Sequence, residues 1–463
     1  MHPTRAPFPW QVFLLGLLSG ALYALGSTWQ PPLQAQAFPL YFLWFSLLFG
    51  LYIAALRWVL RRDNSGHPLL LPVIIGWALV FRLSLLWVAP GFLSTDLYRY
   101  LWDGLVQQAG INPYHYPPEA PELAGLQDDA IFPFINRKWA ITIYPPGAQL
   151  LFWLMAWSCP GNIVALKGMI LLADGCALAL LLLLLKELRA DCARVLMYAW
   201  HPLVLTELGI SAHLDGVMIP CVLLALYCSL KGRAWAAGLA LGGASLLKLY
   251  PAILLPALYR RRAWQMVGAF IAATAAGYLL YFEAGGQIFG YLPQYLAPSE
   301  EYNLGARALL QHLLGRHLLG PFAHHYYLVA QGLTGLVLLV AMGYCLRQEK
   351  RDEEVIRWGA RIIALYLLLV TPSVYQWYLL WLLALTTLAP TWSTPAWLYW
   401  SWSVNLDMLT PLPGLEASTY WLRFVEYGPV FLWLGGYWLW TRYRRRLEES
   451  LSYEDQPHHP GAE

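Results

Sequence analysis

The sequence predicts an all-α fold, a polytopic helical membrane protein of about 12–14 transmembrane helices with two large extracytoplasmic loops. Three observations predict it. Of 463 residues, 59% are hydrophobic and only 12% charged, against about 25% charged in soluble domains, so the chain lacks the polar surface to cover itself. Apolar stretches recur at lengths near the ~20 residues that a spanning helix requires. The 24 Trp and 29 Tyr suit the aromatic belts of the two bilayer interfaces and the packing of a bundle.

The candidate spans follow in chain order. The first, 9–25, follows Arg5 and imitates a signal peptide, but with so many spans behind it the sequence reads as retaining it. Next come 40–60, 69–90, 163–185, 195–210, 217–230, 234–247, 251–259 and 264–282. The segments 326–346, 356–370, 376–389, 397–409 and 424–440 complete the set. Segment 144–157 is apolar but short, and reads as a re-entrant or juxtamembrane helix. Basic residues cluster at Arg57/Arg61/Arg62, Lys186/Arg189/Arg194, Lys231/Arg233, 260–262, Arg347/Lys350/Arg351 and Arg442 with 444–446. The positive-inside rule puts these clusters, and both termini, in the cytoplasm. The opposite face then receives loops 91–144, 211–216, 283–325, 371–375 and 410–422. Residues 1–447 form one membrane domain, with 91–144 and 283–325 as its long outer loops, and 448–463 reads as a disordered cytoplasmic tail.

Composition also excludes classes of function. The net charge of +3 is small and scattered, and implies no nucleic-acid partner. The six cysteines show no CxxC or metal-ligand spacing and read as buried thiols. No cofactor or metal is implied.

The most informative segment is 94–114, which emerges where the third apolar run ends. Asp96 and Asp103 lie seven residues apart, about two helical turns, and so share a face; Arg99 stands near that face and can pair with either. Exposed carboxylates at a membrane surface can bind a polar substrate and take a proton from it, whereas the bland alternative is an interfacial helix with its charges toward water. Within the spans, ionisable residues are costly and by default functional. Lys167 and Asp174 share one apolar helix and can pair with each other. His213 and Asp215 sit at an outer junction: two ligands make a weak metal signal, so substrate hydrogen bonding or capping is favoured. Lys248, before Tyr250-Pro251, suits a phosphate as a point charge, or else snorkels to the headgroups. Gln376, Trp377, Tyr378 and Trp381 form an aromatic belt or wall a sugar or prenyl site. Arg137 and Lys138 add positive charge from the first outer loop.

Taken in order, these motifs resemble the GT-C glycosyltransferases. The likeness is greatest to the polyprenol-phosphate-mannose-dependent bacterial mannosyltransferases and the catalytic subunit of GPI mannosyltransferase I. It rests on 96–104 (DLYRYLWDG), Asn112-Pro113-Tyr114, Tyr144-Pro145-Pro146, Lys167 with Asp174, 200–202, 213–216, 248–251, Tyr302-Asn303 and 376–381. It covers roughly residues 90 to 390.

The resemblance implies an inverting transfer of a hexose, mannose by default, from a polyprenyl-phosphate donor to a lipid or glycan acceptor. It places the site on the extracytoplasmic face of a membrane, here the bacterial inner membrane, with Asp96 as base and Asp103 as the competing base. It extends the substrate-binding set to Tyr98, Arg99, Asn112, Tyr114, Tyr144, Tyr302 and Asn303. The family often carries an Asp-x-Asp or Glu-x-Asp where this chain has Thr95-Asp96-Leu97, which weakens the case for a divalent metal. The rival class is a transporter or flippase for a lipid-linked or polar substrate; duplicated halves, its usual signature, are lacking. A non-catalytic subunit that retains the fold is a third class, opposed by the intact set of outer-face charges.

Overall fold

The computed structural model describes residues 8–28, 37–61, 67–89, 93–260, 263–297, 305–315, 326–409 and 419–454, with backbone only at 27, 419, 420 and 445–454. Among the described residues the regular structure is helical. Helix α1 (Trp10–Thr28) packs on α2 (Phe38–Val59) and α3 (Leu70–Leu86). Gly16 and Gly20 make the approach possible, since a side chain at either would strike the Trp77 ring. Small residues commonly admit such close contacts between membrane helices.

Helix α3 ends before the first outer loop, and α4 (Asp96–Gln108) begins it. The helix is amphipathic and buries Leu97 through Gly104. It lies on α5 (Pro146–Ser158), where Gly104 leaves room for the Phe152 carbonyl and Ala156. At 13 residues, α5 is about 20 Å long, shorter than the ~30 Å hydrocarbon core, and it exposes Leu150, Trp153, Leu154 and Trp157.

Helix α6 (Ile163–Glu187) is long enough to span, and Asn162 caps its first turn. The apolar stretch at 195–210 breaks into α7 (Leu196–Ala199) and α8 (Pro202–Gly209), because Pro202 cannot continue the preceding helix. Helices α9 (Asp215–Leu230), α10 (Ala234–Leu247), α11 (Leu255–Leu258) and α12 (Trp264–Leu279) follow. The expected span at 251–259 is in fact a 3-10 turn over Tyr250–Leu254 and the four residues of α11, each with a proline at its start. Gly238 and Gly242 bring α10 against α12 at Met266 and Phe270. Then come α13 (Leu292–Tyr295), α14 (Ala306–Leu313), α15 (Tyr326–Arg347), α16 (Asp352–Leu365) and α17 (Leu380–Leu388).

Among the described residues, Phe38–Val59, Ile163–Glu187 and Tyr326–Arg347 are each long and apolar enough to cross a membrane, and Trp264–Leu279 with Phe282–Tyr295 forms a pair bent by 109°. Five shorter apolar helices, Trp10–Gly26, Leu70–Leu86, Asp215–Leu230, Ala234–Leu247 and Gln376–Leu388, accompany them. The chain is an all-α helical membrane protein.

A second compact unit, Pro390–Glu463, holds α18 (Thr394–Ser403) and α19 (Thr419–Glu454). Within it Arg423 bridges Asp407 at 2.7 Å and Glu426 at 2.9 Å. Helix α19 extends through Glu454, so regular backbone reaches into the segment that the sequence assigns to the tail.

Candidate active site

A cavity of about 650 Å³ opens in the first unit, Met1–Ala389. Its walls are the start of α4 (Thr95, Asp96, Arg99), the loop stretch 136–145, Lys248 to Tyr250, Tyr291 to Leu296, and Tyr375, Trp377 and Tyr378. Eight of its lining residues are aromatic, and its charged groups are Asp96, Arg99, Arg137 and Lys248.

Asp96 is the first residue of α4, where the helix dipole favours an anion. Asn136 Nδ2 donates to its Oδ1 at 2.7 Å, and His213 Nδ1 stands 3.7 Å from its Oδ2. About a fifth of the side chain is exposed (21%). Burial raises the Asp96 pKa above the usual carboxylate value, while the Asn136 hydrogen bond, Lys248 and Arg137 pull it partly back. A carboxylate poised upward in this way is a better proton acceptor than an ordinary aspartate.

Asp103 has a different setting. It is buried and accepts Arg99 Nε at 2.8 Å, Thr142 Oγ1 at 2.5 Å and Gln149 Nε2 at 2.9 Å. Arg99 also donates to the Ala140 carbonyl at 3.1 Å. Asp103 thus ties α4 to the 140–149 stretch and does not line the cavity.

Lys248 ends α10 in an extended conformation, which turns it out of the helix. Its ammonium lies 2.5 Å from Asp215 Oδ2, and the Tyr250 hydroxyl donates to Asp215 Oδ1 at 2.5 Å. Asp215 is wholly buried, whereas Lys248 keeps one edge on the cavity. His213 is also buried and stacks on Trp377, with centroids 3.7 Å apart. Tyr378 shares a hydrogen bond with Tyr295 at 2.9 Å between hydroxyl oxygens. Arg137, held at a positive φ of 46°, lies over Tyr291 at 5.7 Å.

The cavity therefore gathers Asp96, Arg99, Arg137, Tyr144, Lys248, Trp377 and Tyr378 from the residues singled out in the sequence. His213 and Asp215 stand immediately behind it. Other candidates are placed elsewhere. Tyr98 stacks on Phe134 at 5.0 Å. Asn112 Oδ1 accepts the Tyr114 amide at 3.1 Å, and the Tyr114 hydroxyl donates to the Tyr144 carbonyl at 2.7 Å, so this turn braces the wall. Lys138 donates to the Pro133 carbonyl at 2.9 Å. Gln376 is buried beside the aromatic wall. Tyr302 and Asn303 lie outside the described residues.

One expected pairing is overturned. Lys167 and Asp174 do not meet, because seven residues place them about 10 Å apart along α6. Asp174 instead pairs with Arg82 at 2.6 Å and accepts the Tyr198 hydroxyl at 2.9 Å. Lys167 donates to the Leu85 and Val88 carbonyls at 2.9 and 2.6 Å, satisfying the C-terminal end of α3 just before the loop that carries Asp96. Sequence reasoning missed Asn136, Thr142 and Gln149. The amide types in a loop rich in carboxylates were the available signal. It also missed the tyrosines at 291 and 295, which belong to the second long loop.

Residues 142–372, just under half of the chain, match the model of glycosyltransferase family 87. The chain is also 25% identical to the alpha-(1->6)-mannopyranosyltransferase A of Mycobacterium tuberculosis, over 67% of this chain. The match spans 66% of that protein's length. Both likenesses are to glycosyltransferases. Within the family-87 match lie Tyr144, His213, Asp215 and Lys248, while Asp96 precedes it and Trp377 follows it.

Proposed function

We propose that the chain is a membrane glycosyltransferase that moves a hexose, mannose first, from a polyprenyl-phosphate donor to a lipid or glycan acceptor on the extracytoplasmic face, by inverting direct displacement. One observation carries the reading. Asp96, with its upward-shifted pKa, and Lys248 open on the same aromatic-walled cavity. The mannosyltransferase relative supports mannose as the sugar. The basic clusters at the opposite helix ends support an outer-face site.

The residues divide the chemistry between them. The acceptor hydroxyl oxygen attacks the anomeric carbon while the bond from that carbon to the phosphate oxygen breaks. Asp96 takes the hydroxyl proton, a contribution typically of about 10²–10⁴-fold in rate. The departing phosphate gains negative charge. Lys248 faces it as a point charge, with Arg137 and Arg99 on the same walls. Asp215 and Tyr250 fix the ammonium in advance, and preorganised charge in a poorly hydrated cleft stabilises a leaving anion better than water does. Tyr144, Trp377 and Tyr378 offer ring faces to the sugar or the first isoprene units.

The test is transfer in detergent by the purified protein, supplied with radiolabelled polyprenyl-phosphate mannose and a membrane-lipid extract as acceptor. Detergent abolishes compartments, so a transporter would leave the label on its donor. Label in a new product, with inverted anomeric configuration, is the expected result.

A further inference from the structure

Behind Asp96 lies a side-chain arrangement that the displacement itself does not use. Helix α8 ends at Gly209, and α9 begins at Asp215. Between them Ala212 adopts a φ of +54°, a left-handed conformation that residues with a Cβ rarely take and that tends to mark functional turns. The turn folds His213 back so that its amide donates to the Glu207 carbonyl at 3.0 Å. The ring is fully buried and clamped by Trp377 at an interplanar angle of 22°. Its Nδ1 faces Asp96 Oδ2 at 3.7 Å, and its Nε2 faces Glu207 Oε2 at 3.2 Å. Neither ring nitrogen has a well-formed hydrogen bond. Two carboxylates thus flank a single imidazole. Burial, with Lys248 nearby, holds the His213 pKa well below its ordinary value, so the ring is neutral and carries one N–H and one lone pair.

We propose that His213 and Glu207 form a proton relay behind Asp96, which carries the acceptor's proton away from the cleft and leaves it on Glu207. The inference rests on Asp96 as the base of the transfer proposed above. The working tautomer bears its hydrogen on Nε2 and turns the Nδ1 lone pair toward Asp96. Once Asp96 has taken the hydroxyl proton, its O–H passes that proton to Nδ1, and Nε2 releases its own to the Glu207 carboxylate. Asp96 is again an anion, the ring is again neutral, and Glu207 is a carboxylic acid. After product leaves, the proton returns to water along the same path. Clearing Asp96 in this way stops it from reprotonating the new glycosidic oxygen. The 3.7 Å gap at Nδ1 must close in the complex, as catalytic hydrogen bonds commonly do on substrate binding. Titratable and charged neighbours of the three groups are Asp215, Lys248, Arg137, Tyr41, Tyr100 and Tyr144.

The experiment measures kcat, both KM values and a solvent-deuterium proton inventory for mannosyl transfer by wild type, Glu207→Gln, His213→Gln and Asp96→Asn. The relay requires kcat to fall by about 10²-fold in the Glu207 and His213 variants, with both KM values within about two-fold of wild type. It also requires the inventory to change from curved in wild type to linear in Glu207→Gln, a response that loss of a structural contact would not give. Wild-type kcat in Glu207→Gln, with Asp96→Asn inactive, overturns the relay and leaves the base in place. Full activity in Asp96→Asn, or no transfer by wild type, overturns the transfer reading and the relay with it. Should Glu207→Gln not fold, Glu207→Asp withdraws the carboxyl from Nε2 by one methylene. An unchanged kcat there overturns the proposal, and a lowered kcat with a straightened inventory supports it.

Discussion

Asp103→Asn separates the roles of the two carboxylates in the first outer loop. Asp103 is buried and accepts hydrogen bonds from Arg99, Thr142 and Gln149 at 2.8, 2.5 and 2.9 Å. The asparagine keeps one acceptor oxygen, but its NH₂ must face a donor of Arg99 or Gln149. Facing Arg99, the amide leaves the guanidinium buried with only the Ala140 carbonyl; facing Gln149, it leaves Arg99 a neutral oxygen in place of its carboxylate. Removing one partner of a buried ion pair typically costs about 3–5 kcal/mol, and the retained oxygen sets the expectation near the lower end. Thermal denaturation in detergent reads the loss, and transfer per folded molecule, measured below both transitions, reads the chemistry. The variant should melt early yet keep transfer within about ten-fold of wild type, since Asp103 offers only structural contacts. Adding Arg99→Met removes the stranded cation, and the pair should be less destabilised than the sum of its parts by roughly 0.5–3 kcal/mol. A variant of wild-type stability that no longer transfers sugar would refute this reasoning and move the base to Asp103.

Three further outcomes follow from the same geometry. Asp96 must be ionised to act, so activity falls as pH drops through its raised pKa; Asn136→Ala removes a hydrogen bond that favours the anion, and the acid limb of kcat/KM should move to higher pH. Lys248→Met should raise the donor KM and lower kcat, together costing about ten-fold or more in kcat/KM, whereas Asp215→Asn strands the Lys248 ammonium and should destabilise the fold by about 3–5 kcal/mol.

The sequence made part of this site legible for a physical reason. Asp96, Lys248, Trp377 and Tyr378 all stand where an apolar run stops, and polar or aromatic residues at such ends are conspicuous against their background. Their convergence on one cavity needed only a shared membrane face. Side-chain partners were less accessible. Asp174 finds Arg82, 92 residues away in sequence, and spacing within α6 suggested Lys167 instead. Asn136 lies in a long loop without periodicity, so its amide type was a signal but no spacing aimed it at Asp96. The Asn112-Pro113-Tyr114 turn is prominent in sequence but faces inward to hold Tyr144. Helix breaks at Pro202 and Pro251 were visible, but how far they shorten the apolar stretches was not.

The central claim is that Asp96 deprotonates an acceptor which then displaces a polyprenyl phosphate. The most direct measurement is the initial rate of mannosyl transfer by Asp96→Asn against wild type, with donor binding measured in parallel. The account predicts a rate lower by about 10²-fold or more with donor affinity retained. Equal rates would contradict it.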